Sequence, residues 1–474
     1  MKYNKSKKIS KINKNHKNTK NNRNNKNHKN HKNHKNHKNH KNSKRGNSKI
    51  GGDVIDSGGF GCVFKPALLC ENQTKRTTNS ISKLLSKKHA IKEKNEIDFI
   101  YKKLSLVKNF NNYYLIDNIT LCNPKPLVKS DLASFHSKCS ALKKHKLTSD
   151  NINDHLSDLM MITMPDGGIP VDDFLMSNPD VSIFNRLNNK LIDLFINGII
   201  PMNKLFIFHG DIKDSNILVD QKSSDMYTRL IDWGLTCSYQ PNKTIKIPHV
   251  WYNRPLQYNM PYSNILLSDI FTEMYRDFHK KNTSPSDNEM DKFVKKFITT
   301  FVNERGAGHL KLINRIISML IDQKLNDISI KLTNDREHIL EETKEILIRY
   351  ISEILIEFHS ITVDSTFDLT DYLNDVYIYN IDTWGFVIAY FPIFELLYFN
   401  YTNLSKEQRF MFNTLKNLFQ YIINCAIKPI NTSKVISYLR ILNIRSNNRS
   451  SFQKLSHSSF SQDKGITGDT FEPQ

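Results

Sequence analysis

The sequence predicts an α+β protein, strand-rich first and helical after it, and three observations predict it. Short strand-like runs follow residue 50: Val54-Ile55, Cys62-Val63-Phe64, the alternating Ser80-Ile81-Ser82-Lys83-Leu84-Leu85, and the apolar Leu159-Met160-Met161-Ile162-Thr163-Met164. From Val171 to Ile200 the period becomes helical, and Phe184, Leu187, Leu191, Leu194 and Phe195 make one apolar face. Ile217-Leu218-Val219, a polar turn through Gln221 to Asp225, and Thr228 to Ile231 then read as a β-hairpin.

Charge divides the chain unevenly. The formal net charge is +21, but residues 1–50 hold 18 Lys and Arg and no acid, which leaves 50 Lys and Arg against 47 Asp and Glu elsewhere. Residues 1–48 are a Lys/Asn/His tail with a His-Lys-Asn triplet from about His28 to Asn42. Such a tail has too little apolar surface to repay its ordering entropy and is expected to be disordered. It reads either as a polycation for nucleic acid or another polyanion, with steep salt dependence, or as a drifted repeat. No metal role is assigned to its histidines, because a flexible triplet has no fixed ligand geometry.

Cys62, Cys70, Cys122, Cys139, Cys237 and Cys425 are scattered without a C-x-x-C pair and follow no apolar signal segment, so a reduced intracellular compartment, cytoplasmic or nuclear, is expected. The apolar stretch Trp384 to Phe399 is shorter than a span of about 20 residues and contains Pro392 and Glu395. It is expected to be one buried helix rather than a membrane segment.

The chemistry concentrates in Phe208-His209-Gly210-Asp211-Ile212-Lys213-Asp214-Ser215-Asn216, answered by Leu230-Ile231-Asp232-Trp233-Gly234. The hairpin between them would return Asp232 beside Asn216. Asp211 could then face a hydroxyl nucleophile while Asn216 and Asp232, hard oxygen ligands, hold Mg²⁺ against a nucleotide's phosphates. Upstream, Asp56-Ser57-Gly58-Gly59-Phe60-Gly61 joins two short strands, and its glycines allow backbone N–H groups close to phosphates.

These motifs, in this order, resemble the eukaryotic-type serine/threonine protein kinase superfamily. The wording Gly58-Gly59-Phe60-Gly61-Cys62-Val63 and Trp251-Tyr252-Asn253-Arg254-Pro255-Leu256-Gln257-Tyr258-Asn259-Met260-Pro261-Tyr262 is most like the divergent kinases of giant DNA viruses. The resemblance implies ATP and Mg²⁺ as cofactors and a protein Ser or Thr hydroxyl as acceptor. Asp211 and Lys213 would be catalytic, and Asn216 and Asp232 would bind the metal. Gly58, Gly59, Gly61 and Val63 would cover the nucleotide. Lys83 would anchor phosphates with Glu96 holding it, Lys92 being the competing lysine and Glu93 the fallback partner. Pro165-Asp166-Gly167-Gly168 would be the interlobe hinge, and the aspartate of Asp382-Thr383-Trp384-Gly385 would accept backbone hydrogen bonds from the catalytic loop or cap a helix.

The departures are equally specific. Asp56 stands where the family's first glycine would be, Ala-Pro-Glu is absent, and Gly210 replaces the arginine that precedes the base in many regulated members, so activity independent of activation-segment phosphorylation is expected. His209-Gly210-Asp211 and Ile231-Asp232-Trp233 also resemble aminoglycoside- and choline-kinase-type phosphotransferases. A pseudokinase scaffold tethered by its basic tail is the non-enzymatic alternative.

The expected organisation is a tail over 1–48, a small lobe over 49–165, a large lobe over 166–443 and a disordered Ser-rich end from 444. Within the small lobe, Tyr113 to Ile119 reads as a strand and Pro124 to Thr148 as a loop insertion. Within the large lobe, a helical insertion of roughly 265–375 has a capping-box spacing at Asn334 to Glu337 and an amphipathic stripe through Ile339, Leu340, Ile346, Leu347, Ile354, Leu355 and Phe358. The insertion reads as core packing, substrate docking or autoinhibition.

Overall fold

The computed structural model describes residues 52–178, 180–222, 225–241, 246–321, 339–358 and 367–443. The basic tail, the capping-box spacing at Asn334 to Glu337 and the Ser-rich end lie outside them. The chain is α+β.

An antiparallel five-stranded sheet in the order β1-β2-β3-β5-β4 opens the described chain, with β1 Asp53–Ser57, β2 Gly61–Lys65, β3 Ser80–Ser86, β4 Thr120–Cys122 and β5 Leu159–Pro165. Alternation puts Val54, Cys62, Phe64, Leu84 and Met161 into one small core. The Pro124 to Thr148 stretch folds back over this face as short helices, and Phe135, Ala141 and Leu142 join the same core. Two disulfides fix that arrangement, Cys62–Cys139 and Cys70–Cys122, leaving Cys237 and Cys425 as free thiols. With four of six cysteines bonded, their spacing no longer supports the expected reducing compartment. The pairs escape a C-x-x-C search because tertiary folding brings together residues 77 and 52 positions apart.

Tyr113 to Ile119 is not a strand of this sheet. Its backbone instead meets the hairpin, with Leu230 donating to the Tyr113 carbonyl at 2.8 Å and Leu115 donating to the Leu230 carbonyl at 3.0 Å. Here β7 Ile217–Lys222 and β8 Asp225–Leu230 pair antiparallel, and β6 Ile169–Pro170 adds to the β7 edge.

The helical part begins with Val171–Ser177 and Val181–Leu194, where Asp180 caps the second helix by accepting from the Ser182 and Ile183 amides. The expected apolar face is observed: Phe184, Leu187, Leu191, Leu194 and Phe195 are all buried in the large core. The expected insertion supplies helices Asp269–His279, Asp287–Arg305, Leu310–Ile321 and Glu341–Glu357. Ile339 and Leu340 precede the last of these, which carries Leu347, Ile354 and Leu355 inward.

Trp384 to Phe399 is not one helix. It belongs to two, Ile378–Ile388 and Phe391–Phe399; the helical run Thr370–Ile388 meets the second at a bend of 42°, and Pro392 sits in the first turn of that second helix, where its missing N–H costs nothing. Among the described residues no single helix is long and apolar enough to cross a membrane, although this bent pair has the combined length and composition. Glu395, buried within it, is ion-paired with Arg315.

Candidate active site

The hairpin acts as expected on the two metal-ligand candidates. Ile217 faces Leu230 across the ladder, and the Ile231 amide donates to the Asn216 carbonyl at 3.1 Å, so Asp232 follows directly beside Asn216. Asp232 is solvent-exposed and has left-handed backbone, with φ 63° and ψ 73°, a conformation that for a non-glycine residue costs about 1 kcal/mol or more.

Asp211 is buried and fully engaged. Its Oδ2 accepts from Lys213 Nζ and from Asn216 Nδ2, each at 3.0 Å, and its Oδ1 accepts from Asn259 Nδ2 at 2.8 Å. Asn216 Nδ2 also donates to the Asp211 carbonyl at 2.8 Å, which leaves the Asn216 amide oxygen as its acceptor end. Burial opposes ionisation of Asp211, but Lys213, Arg254 and the Asn259 amide outweigh it and hold the carboxyl below its ordinary range. Lys213 shows the mirror effect: burial disfavours its ammonium, and Asp211, followed by Asp232 and Asp214, raises its pKa above the ordinary lysine value.

The loop carrying these groups is fixed from below by the Ile378–Ile388 helix. Asp382 accepts from the His209 amide at 2.9 Å, the Gly210 amide at 2.9 Å and Asn203 Nδ2 at 2.6 Å. Asp382 lies inside that helix, so the backbone-acceptor reading describes it and the capping reading does not. Gly210 has φ +68°, where a side chain would strain the turn. Gly385 is a close approach: a Cβ there would lie 2.5 Å from the Ile212 carbonyl oxygen. One turn of helix thus brings both an acceptor and a gap to the loop.

The Trp251 to Tyr262 segment closes the site from the other side. Trp384 Nε1 donates to the Tyr258 carbonyl at 3.0 Å, Arg254 Nη1 donates to the Gly210 carbonyl at 3.2 Å, and Asn259 reaches Asp211. His309, at the end of the insertion's Gly306-to-Gly308 turn, packs its ring 5.2 Å from that of Tyr258. Burial, then the Lys213 ammonium, with Arg254 adding and Asp211 opposing, pushes its imidazole down to about 4. Sequence reasoning singled out the segment but not Asn259, Arg254 or His309. No spacing rule connects residues 44 or more positions apart.

On the sheet side, Val63 and Lys83 are directly paired between β2 and β3. Lys83 Nζ donates to both oxygens of Glu93 at 2.9 Å. Glu96, the expected partner, instead lies 3.9 Å from Lys92 on the exposed side of the helix Lys87–Leu104. The cause is the helix start: Ser86 ends β3 and caps the helix, so no loop intervenes, and helical phase turns Glu93 toward the sheet. Lys92 is therefore excluded as a sheet lysine. Burial disfavours the Lys83 ammonium, but Glu93 first, then Asp232 and Asp56, raise its pKa. Asp232 is among the carboxylates that raise the pKa of both Lys83 and Lys213.

No protein-family model matches the chain, and no curated protein matches it.

Gly58, Gly59 and Gly61 form the turn between β1 and β2, closed by the Gly58 amide donating to the Gly61 carbonyl at 3.0 Å. Phe60 at its tip stacks on His89, with ring centroids 4.5 Å apart. Asp56 is exposed, and its Oδ1 accepts from the Ser57 amide. Asp166, at the expected hinge, ion-pairs with Lys65 at 2.7 Å.

Were Mg²⁺ to bind, the Asn216 amide oxygen and the exposed Asp232 carboxylate would be the hard oxygen donors available to hold it.

Proposed function

We propose that the chain is an ATP-dependent serine/threonine protein kinase of the two-lobed kinase type. The observation that carries this reading is that Asp211 is bonded to Lys213 and Asn216 while the hairpin brings Asp232 back beside Asn216 and Lys83 is held by Glu93, groups drawn from separate stretches of the chain. Asp211, ionised and fixed at both oxygens, orients an acceptor hydroxyl and takes its proton. Lys213 faces charge that develops on the transferring group, and Lys83, held by Glu93, orients phosphate oxygens. Asn216 and Asp232 would hold Mg²⁺, which supplies charge neutralisation between the phosphates. Gly58, Gly59, Gly61 and Val63 cover the nucleotide.

Labelled ATP with Mg²⁺, offered with protein acceptors and with small amino- and hydroxy-metabolites, tests the reading against Asp232→Asn as control. Label on protein Ser or Thr, nearly abolished in Asp232→Asn and reduced on the order of 10²- to 10⁴-fold in Asp211→Asn, supports it. Label on a metabolite would move the chain to the small-molecule phosphotransferases. A folded protein that labels neither, with intact polyanion binding, would make it a scaffold.

A further inference from the structure

The insertion reaches the site through His309. The His309 amide donates to the Leu256 carbonyl at 2.9 Å, which ties the insertion's turn to the 251–262 segment. Two residues further along that segment, Tyr258 is only 8 % exposed. Its ring meets the His309 ring at 5.2 Å and 60°, its carbonyl accepts from Trp384 Nε1 at 3.0 Å, and its hydroxyl donates to Asp214 Oδ1 at 3.4 Å. Asp214 follows Lys213 directly and precedes Asn216 by two residues. An unbroken run of contacts therefore leads from the insertion into the 209–216 loop.

The chemistry of each contact is defined. Burial first, then the carboxylates of Asp214, Asp211 and Asp172, lift the Tyr258 phenol well above its ordinary pKa, so the hydroxyl keeps its proton and serves as donor. His309 Nδ1 is buried without a hydrogen-bond partner among the described residues, so the imidazole gives Tyr258 no hydrogen bond from that nitrogen. What it gives is an edge-to-face ring contact, a geometry that aromatic pairs favour. A Tyr side chain turns about only two bonds, so a ring held on one side keeps its hydroxyl over Asp214. The next residue, Asn259, holds Asp211, and displacement of the segment would be felt on both sides of Lys213.

We propose that His309 and Tyr258 are positioning residues through which the insertion holds the 209–216 loop in its working geometry. His309 supports the Tyr258 ring, and Tyr258 fixes Asp214 and with it the backbone between Lys213 and Asn216. At this edge the insertion supports the site. The consequence for turnover rests on the proposed function, whereas the hold on the loop is measurable without it.

Amide hydrogen exchange of the full chain, read on peptides spanning 209–216 and 61–86, compares the native chain with His309→Ala, His309→Phe, Tyr258→Phe and His309→Ala/Tyr258→Phe. Exchange over 209–216 should rise about 5- to 10-fold in His309→Ala and in Tyr258→Phe, and no further in the double variant, because one residue acts through the other. His309→Phe keeps a ring and loses no hydrogen bond at Nδ1, so it should exchange as the native chain does. Exchange over 61–86 should stay unchanged in all four. With labelled ATP and Mg²⁺, His309→Ala and Tyr258→Phe should each lower kcat about 5-fold or more at an unaltered KM for ATP, and His309→Phe should restore it. Tyr258→Phe decides if His309→Ala does not fold. Native-like exchange over 209–216 in a folded His309→Ala or Tyr258→Phe, additive effects in the double variant, an equal rise over 61–86, or an unchanged kcat in an active chain would overturn the inference. A native chain that labels no acceptor, with the exchange pattern as expected, would sink the proposed function and still support the positioning role.

Discussion

Asn259 Nδ2 donates to Asp211 Oδ1 at 2.8 Å, and the same amide reaches the Ile212 carbonyl at 3.3 Å. Through that side chain the 251–262 segment holds the carboxylate on the face opposite Lys213. For the proposed phosphotransfer, Asn259→Ala should lower turnover by about 10-fold while nucleotide affinity changes little, since the lost contact orients Asp211 and involves none of the groups proposed to face phosphate. Steady-state kcat and KM for ATP separate the two, and a change confined to KM would refute the role.

Glu93→Gln and Glu96→Gln form a matched pair. The first removes the charge that keeps Lys83 in place, whereas the second touches only an exposed pair with Lys92. Nucleotide affinity should fall by about 10-fold or more in Glu93→Gln and stay within about 2-fold in Glu96→Gln, measured by titration of a fluorescent ATP analogue. Equal effects would return Glu96 to the site.

His309 links stability to acid. Its imidazole is at about 4 in the folded chain, against an unfolded value of about 6.5, so the unfolded chain binds more protons between them. The stabilisation is full above pH 6.5 and is lost as pH falls toward 4. His309→Gln should flatten the pH dependence of the urea midpoint between pH 4 and 7, by on the order of 1–2 kcal/mol after allowance for solvent screening. A slope unchanged from the native chain would exclude His309 as its source.

The two disulfides close loops of 77 and 52 residues, and each should contribute on the order of 4 kcal/mol through the unfolded chain. Denatured, unreduced protein should react with two equivalents of thiol reagent, at Cys237 and Cys425, and reduced protein with all six. Cys70→Ser should lower the urea midpoint under non-reducing conditions only. Six reactive thiols before reduction would remove both bonds.

Local signals were legible where they were strong. The β1–β2 glycine turn, the Ser80 to Leu85 strand, the 217–231 hairpin and the apolar face of Val181–Leu194 follow from alternation, glycine and helical period, and the structure has each of them. Other readings failed for nameable reasons. Tyr113 to Ile119 has strand-like residues, but their backbone partner is Leu230, a choice that composition does not encode. Glu96 is the expected partner of Lys83, but Ser86 ends the strand and starts the helix at once, and the helical phase turns Glu93 toward Lys83 instead. The apolar composition of Trp384 to Phe399 suggests one continuous helix and hides the bend.

The sequence by itself determined which chemistry is available, because residue types and short-range spacing survive any folding: the carboxylates and amide at 211, 216 and 232, the glycine turn and the strand lysine. Only the tertiary structure decided which groups meet. Glu93 rather than Glu96 faces Lys83, Asn259 rather than solvent faces Asp211, Asp382 holds the loop from 172 and 173 residues away, and four cysteines pair. The physical reason is that hydrogen bonds, ion pairs and disulfides act over a few ångströms in space, and distance along the chain sets that separation only within a helix turn or a hairpin.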